Sequence, residues 1–332
     1  MKFNLIICTY KRPGAIGILL KSVFSQTRLP DEVLVVDASP DDETRNLVEK
    51  QYPVLKYFKV GNKDRGLTRQ RNFGIENTSG NIEVVCFLDD DIVLTPEYFK
   101  NLISTYSQNP NALGVGGAII DEVAWKDNTA GNKIQFDEFE MDGCIRKLGI
   151  RNVLRKKLGL LSDQPPGYMP EFSNGLSTGF LPPSRQTYPV EFFMGGVSSY
   201  RKELFKEISF SLYFEGYGLY EDMDFCLRAS KIGPLYVNTA AQLYHHHEEA
   251  GRPNQFNYGK MVVRNGWYVW RVKYPNPNIK AQLKWHSIAF LLTLVRLGNV
   301  FTTKNKKESL TEGLGRIVGW ISLYINSPKL EK

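Results

Sequence analysis

Residues 82–99 read IEVVCFLDDDIVLTPEYF, and the fold is decided there. The apolar run 82–88 is short and rich in β-branched residues, which predicts a buried strand rather than a helix. It stops at three carboxylates, Asp89, Asp90 and Asp91, before Ile92, Val93 and Leu94. Thr95-Pro96-Glu97 then predicts a helix start, with Thr95 as N-cap, Pro96 at the first helical position and an acid in the first turn. Three acids at the carboxyl end of a buried strand repel one another and cost desolvation unless a cation sits among them. In an open α/β sheet that end is also where ligands bind. The economical occupant is a divalent cation, Mg²⁺ or Mn²⁺, carrying a phosphorylated ligand. Asp89 and Asp91 would then face one way and Asp90 the other. The alternative is a solvated acidic turn.

Outward from this stretch, strands alternate with helices. Residues 2–9 (KFNLIICT), 31–37 (DEVLVVD), 54–60 (VLKYFKV) and 113–120 (LGVGGAII) read as strands. Helices are expected over 13–26, 41–51, 68–77 and 96–108; the first carries Ile16, Leu19, Leu20, Val23 and Phe24 on one face. Such alternation predicts an α/β fold, a mostly parallel open sheet with a Rossmann-like nucleotide-binding half. From 121 to about 189 the periodicity fails, apart from a basic amphipathic piece at 150–161; long irregular segments of this kind usually form lids or substrate surfaces. Order resumes at VEFFMGGVSSYRKELF (190–205), read as a strand containing Gly195-Gly196 and then a helix. EDMDFCLRASKIG (221–233) reads as a helix, and LYVNTAAQLYHHH (235–247) as a strand running into three histidines.

Composition places the 332-residue chain among ordinary globular proteins, with 42% hydrophobic and 23% charged residues. Four cysteines show no zinc-like spacing; Cys8 and Cys86, inside apolar runs, read as buried thiols in a reducing compartment. No signal peptide or membrane span is expected, which points to a cytoplasmic protein. The net charge of +7 is uneven: residues 252–332 hold fourteen Lys/Arg against three acids, so the remainder is slightly acidic. A uniformly basic chain would suggest nucleic acid; a basic tail on an acidic body does not. That tail contains WHSIAFLLTLVRLGNVF (285–301), with Lys280, Lys284, Lys304, Lys306 and Lys307 and four tryptophans nearby. This suits peripheral contact with the inner face of an anionic membrane. Packing on the body or on a second subunit is the competing expectation.

Several candidate site residues fall at the same sheet edge as the acids. Thr9, Tyr10 and Arg12 follow the first strand and Asp37 ends the second. Asp37 could accept bonds from a base or ribose, or merely cap a turn. Arg69 and Arg71 flank the first turn of a helix, where guanidinium and backbone N–H groups favour a diphosphate. Glu221 and Asp222 open another helix; either they answer its dipole, or one is a general base toward an acceptor hydroxyl. Alternation puts His245 and His247 on one face, and an imidazole joining two carboxylates would shift preference from Mg²⁺ toward Mn²⁺. Asp224 and Arg228, four apart, are expected to pair structurally.

Taken in order, TYKRP, VVDAS, GLTRQRNFGI, FLDDDIVL, FFMGGVSSYRKELF and GLYEDMDFCLRASKIG resemble the family 2 glycosyltransferases of GT-A fold, over about residues 3–250. The resemblance implies inverting, usually metal-assisted transfer of a sugar from a nucleotide diphosphate sugar. The acceptor would be a glycan or lipid-linked glycan in cell-surface polysaccharide synthesis. It implies that Thr9 and Asp37, with Tyr10, Arg12 and Arg69 near them, hold the nucleotide sugar, and that Arg71 lies by the diphosphate. Asp89 and Asp91 would be the DxD pair, with Asp90 between them on the donor side and Asp91 on the metal. Asp222 would be the catalytic base beside an acceptor-binding Glu221. His245 would meet the metal or phosphate, with His247 as competitor, and Gly195 and Gly196 would let backbone approach the sugar closely. Residues 1–120 would be the nucleotide-sugar-binding half, 121–251 the acceptor-binding and catalytic half of the same domain, and 252–332 a basic amphipathic helical region. One departure stands out: Gln70 precedes Arg71-Asn72 where many relatives have alanine, which leaves helix packing there open. Three rival readings remain. They are a sugar nucleotidyltransferase, whose Gly-rich loop is missing after the first strand, an inactive glycosyltransferase-like scaffold, and a nucleic-acid binder.

Overall fold

A computed structural model describes residues 1–214, 216–246 and 253–330. In chain order the first elements are β1 (Phe3–Thr9), α1 (Pro13–Phe24), β2 (Glu32–Asp37), α2 (Glu43–Gln51), β3 (Lys56–Lys59) and α3 (Leu67–Glu76). Next come β4 (Val84–Leu88), β5 (Ile92–Leu94), α4 (Tyr98–Gln108), β6 (Gly114–Ile119), β7 (Lys126–Asp127), β8 (Glu138–Met141), β9 (Cys144–Lys147) and α5 (Ile150–Lys157). The rest are β10 (Thr187–Val190), β11 (Val197–Arg201), α6 (Glu221–Ala229), β12 (Leu235–His245), α7 (Gln255–Lys273), α8 (Ile279–Gly298) and α9 (Lys306–Ile325). Contacts divide the chain into two compact units. Met1–Ala124 joins Thr178–Gly251, and Trp125–Ser177 joins Arg252–Lys332.

The first unit is built on a nine-stranded sheet in the order β10-β12-β6-β11-β4-β1-β2-β3, with β5 paired to β12. β3, β2, β1 and β4 run parallel; β11 is antiparallel to β4 and β6, and β6 and β12 are parallel again. The expected mostly parallel GT-A-type sheet is therefore present. Register carries the chemistry: Thr9 pairs with Asp37, and Ile7 with Leu88, so the ends of β1, β2 and β4 share one edge. On one face α1 and α4 bury Leu19, Leu20, Val23, Phe99 and Leu102 against β1, β2 and β4. On the other, Phe87, Tyr200, Phe205, Phe210 and Phe225 form an aromatic cluster, with Phe210 stacked on Phe225 at 4.3 Å between ring centroids. Phe225 belongs to α6, so this cluster fixes the helix that begins with Glu221 and Asp222.

Local expectations were refined in three places. Thr95 does not cap α4: its hydroxyl donates to the Gln242 carbonyl at 2.7 Å, and the helix starts at Tyr98 after a turn. Ile92–Leu94 forms a short strand, because β12 offers it an antiparallel partner that a local reading cannot foresee. Gly195 and Gly196 lie in the loop before β11 rather than inside a strand, and a 3₁₀ turn, not an α-helix, follows. All four cysteines are free; Cys86 is buried and Cys8 partly so.

The second unit holds the small sheet β7-β9-β8, helix α5 and helices α7–α9. The basic piece expected at 150–161 is α5. Trp270 stacks on Trp285 at 5.3 Å and donates from its indole to the Glu171 carbonyl. A side chain on Gly259 or Gly315 would overlap the facing backbone, which is why α7 and α9 pack so closely. None of the described helices is long and apolar enough to cross a membrane.

Candidate active site

The acids of the opening stretch are neutralised by the chain itself. Asp90 turns to β1, where it accepts from Thr9 Oγ1 at 2.6 Å and from Arg12 Nη1 at 2.8 Å. Burial still lifts its pKa to about 6, against the pull of Arg12 and Thr9. Asp91 Oδ1 lies 3.3 Å from His245 Nε2, and its Oδ2 3.6 Å from Arg12 Nη1. His245 is held from its other nitrogen by Glu122 at 3.1 Å, and Asp121 accepts its backbone N–H. Bonds to Asp91 and then Glu122 raise the imidazole pKa to about 10. Asp89 lies 3.7 Å from Arg71 Nη2, with its side chain 43% exposed. Burial raises its pKa, with Arg71 opposing.

A second chain of contacts starts from Arg71. Its Nη1 donates to Glu221 Oε1 at 2.7 Å, and its guanidinium lies 5.2 Å from the Phe210 ring and 5.5 Å from that of Phe87. Burial works against the charge, but Glu221 and Asp89 more than offset it, so Arg71 stays protonated. Glu221 is only 5% exposed, and its Oε2 has no hydrogen-bond partner among the described residues. Burial pushes its pKa up to about 8, Arg71 pulling down while Asp222 and Asp89 add to the rise. Asp222 accepts from Gly195 N–H at 2.9 Å and from its own neighbour Met223 N–H at 2.7 Å. Those bonds oppose the rise that burial imposes on its pKa. The residue before this helix, Tyr220, has φ of 72°, a left-handed conformation that costs a non-glycine residue about 1–3 kcal/mol and tends to mark functional loops.

Gly195 and Gly196 sit between the two groups of acids. A Cβ on Gly195 would come within 2.7 Å of Glu221 Oε1, 2.8 Å of Arg71 Nη1 and 2.9 Å of Asp222 Cβ. A Cβ on Gly196 would overlap Asp89 Oδ2. Thus the acids ending β4 and those opening α6 meet across a backbone bare of side chains.

Of the known families, glycosyl transferase family 2 matches the chain over residues 4–209. The chain belongs to this family. Among curated relatives of this glycosyltransferase is the glucosyl-dolichyl phosphate glucuronosyltransferase of Haloferax volcanii, 31% identical over 127 residues, 37% of this chain and 39% of that one. Another is the GalNAc(5)-diNAcBac-PP-undecaprenol beta-1,3-glucosyltransferase of Campylobacter jejuni, 31% identical over 113 residues, 33% and 35% of the two chains. The matches thus span well under half of these relatives' lengths. The mannosyltransferase PcManGT of Pyrobaculum calidifontis, solved with GDP-Man and Mn²⁺, superposes with a TM-score of 0.54 at 14% identity, covering 98% of this chain and 88% of that one. At that identity the likeness is one of fold.

Within the glycosyltransferase, the structure brings Thr9, Arg12, Asp90, Asp91 and His245 into one connected group, and Asp89, Arg71, Glu221, Asp222, Gly195 and Gly196 into another. Asp37 and Tyr10 have partners of their own. Asp37 is fully buried, accepting from Ser39 N–H and Tyr57 hydroxyl, each at 2.7 Å. Tyr10 accepts from Arg65 Nη2 at 2.8 Å, with that guanidinium 4.4 Å from its ring. Arg69 is half-buried on α3. Asp224 and Arg228 pair as expected, at 2.6 Å. His247 lies outside the described residues.

Sequence reading missed Glu122 and Asp121, which orient His245 across 123 and 124 residues of separation. Their only local signal was an acidic pair closing a strand. The Gln70 departure acquires a role: its Nε2 donates to the Val36 carbonyl at 2.8 Å and the Thr9 carbonyl at 3.1 Å, pinning α3 to the ends of β1 and β2. Two carboxylates and an imidazole, from Asp89, Asp91 and His245, suit Mn²⁺ or Mg²⁺ by donor type. Among the described residues no three such side chains already converge as a ligand set, and Asp91 and His245 bond each other instead.

Proposed function

We propose that this glycosyltransferase moves a sugar from a nucleotide diphosphate sugar to an acceptor hydroxyl with inversion at the anomeric carbon, assisted by a divalent cation. What supports the reading is that Asp89 and the Glu221–Asp222 pair close on the bare Gly195-Gly196 backbone, which brings a carboxylate suited to the donor and carboxylates suited to the acceptor to one point of the sheet edge. Asp222, whose orientation Gly195 N–H fixes, takes the proton of the acceptor hydroxyl as that oxygen bonds the anomeric carbon. The C–O bond to the diphosphate breaks on the opposite face, and the electron pair leaves with the phosphate. A cation held by Asp89, Asp91 and His245 would offset that negative charge. Arg71 adds a fixed positive charge beside Asp89.

The acceptor we favour is a growing glycan or lipid-linked glycan of the cell surface, with peripheral membrane contact through the C-terminal helices. The dolichyl phosphate and undecaprenol named for the two relatives support this choice. A thermal-shift panel of nucleotide sugars, with and without Mn²⁺, tests donor binding. Proton NMR of the transferred product then tests the stereochemistry, since retained anomeric configuration overturns direct displacement by one base.

A further inference from the structure

Helix α9 is built inside out. Its buried side carries Ser309, Glu312, Arg316, glycines 313, 315 and 319, and a single large apolar side chain, Leu323. Leu310, Leu314, Val318, Ile321 and Ile325 are exposed, the last by 82%. Spaced three or four residues apart, these five make one continuous stripe. The only charged residues between 310 and 325, Glu312 and Arg316, both point inward. They are satisfied there: Glu312 accepts from Arg316 Nη2 at 2.7 Å and lies 2.6 Å from Arg296 Nε of α8. Buried ions and close glycine packing against α7 therefore lock the helix with its aliphatic side outward. A helix evolved to face water would present the reverse.

Helix α8 extends the same surface with Leu283, Phe290 and Leu294, all exposed. The two helices are joined by an aromatic cluster. Phe290 lies 6.1 Å from Trp320, and Trp320 donates to His286 Nδ1 at 2.8 Å. Exposed apolar surface of this continuity marks an interaction site. Its rim is basic, with Lys280 near the start of α8 and Lys304, Lys306 and Lys307 at the start of α9, all exposed.

We infer that the outer face of α8 and α9 docks on the surface of an anionic lipid bilayer, the aliphatic stripe entering the acyl boundary and the lysines meeting headgroup phosphates. Charge selects this occupant: a second copy would set one lysine rim against another, whereas an anionic leaflet complements both. Neither helix is long and apolar enough to cross, so the face lies on the membrane rather than in it. This rests on the proposed membrane contact but not on the sugar-transfer chemistry, so the two fail separately.

The test is co-sedimentation of the full chain with vesicles of phosphatidylcholine alone or containing about one-third phosphatidylglycerol. Wild type should bind the anionic vesicles, less so as salt rises. L314E/I321E, at exposed positions, should bind at least about tenfold more weakly. K306E/K307E should lose about tenfold or more by charge alone. Unfolding temperatures that match wild type confirm that both variants fold. Absence of binding by wild type, unchanged binding by either variant, or a wild-type dimer that L314E/I321E splits in light scattering would overturn the inference.

Discussion

Arg71 of α3 donates to Glu221 of α6 at 2.7 Å, so the helix following the third strand is tied to the helix carrying Asp222. The same guanidinium reaches Asp89 at the end of β4, 3.7 Å away. With a side chain 3% exposed, Arg71 stands as a buried hub between two carboxylates rather than as an open phosphate ligand. Removing one member of such a group strands the others. Arg71→Ala should destabilise the protein by about 3–5 kcal/mol in urea unfolding. Adding Glu221→Gln to it should cost less than the same change costs in wild type, because Glu221 has then already lost the guanidinium it accepts from. Additive losses in this double-mutant cycle would show that the two residues do not interact.

Asp222 differs from Glu221 in every respect that matters for a base. It is partly exposed, and its acceptor bonds come from two backbone N–H groups, one on each oxygen, of which the amide oxygen of an asparagine keeps one. Asp222→Asn should therefore keep the fold and donor affinity while cutting kcat by about 10²–10⁴. Calorimetry with the donor nucleotide and a transfer assay read the two effects separately. Parallel loss of both would assign Asp222 to structure.

Much of this was legible because it is local. The strand that stops at Asp89, the glycine pair and the acids opening α6 all follow from periodicity and charge. What was not legible is pairing across the fold. Three acids in a row called for a cation, yet Arg12, Arg71 and His245 answer much of that need, and a linear reading could not see them converge. Asp37 ends a strand at the binding edge, as the sequence reading has it. Its burial under Tyr57, twenty residues away, is a tertiary fact. Likewise β5 exists only because β12 lies beside it.

Glu221 gives stability a pH dependence whose sign is fixed. Burial raises its folded pKa to about 8 from the ordinary carboxyl value of 4.5. The folded state therefore holds a proton that the unfolded chain releases between those values. Stability attributable to this group is greatest below pH 4.5, falls as pH rises through that window, and levels off above about 8. Glu221→Gln cannot release the proton, so its Tm should decline less than that of wild type between pH 5 and 8, measured by scanning fluorimetry in matched ionic strength. Parallel Tm curves would mean that Glu221 is ionised throughout, held so by Arg71.

The two glycines make opposite predictions, because their neighbours differ in freedom. A methyl on Gly195 would press Glu221 Oε1 and Arg71 Nη1, which are buried and held by their hydrogen bond to each other, so neither has room to move. Gly195→Ala should cost about 1–3 kcal/mol of stability, as overpacking does in a filled core. A methyl on Gly196 meets Asp89 Oδ2, the end of a side chain that is 43% exposed and can swing toward solvent. Gly196→Ala should keep stability within about 1 kcal/mol of wild type while displacing the donor-side carboxylate. Binding of nucleotide with Mn²⁺ should weaken by at least about tenfold, the loss of one charge-assisted contact. Urea unfolding beside calorimetric titration of both variants separates the outcomes. Were Gly196→Ala to bind nucleotide and Mn²⁺ like wild type, Asp89 would have no part in holding the donor.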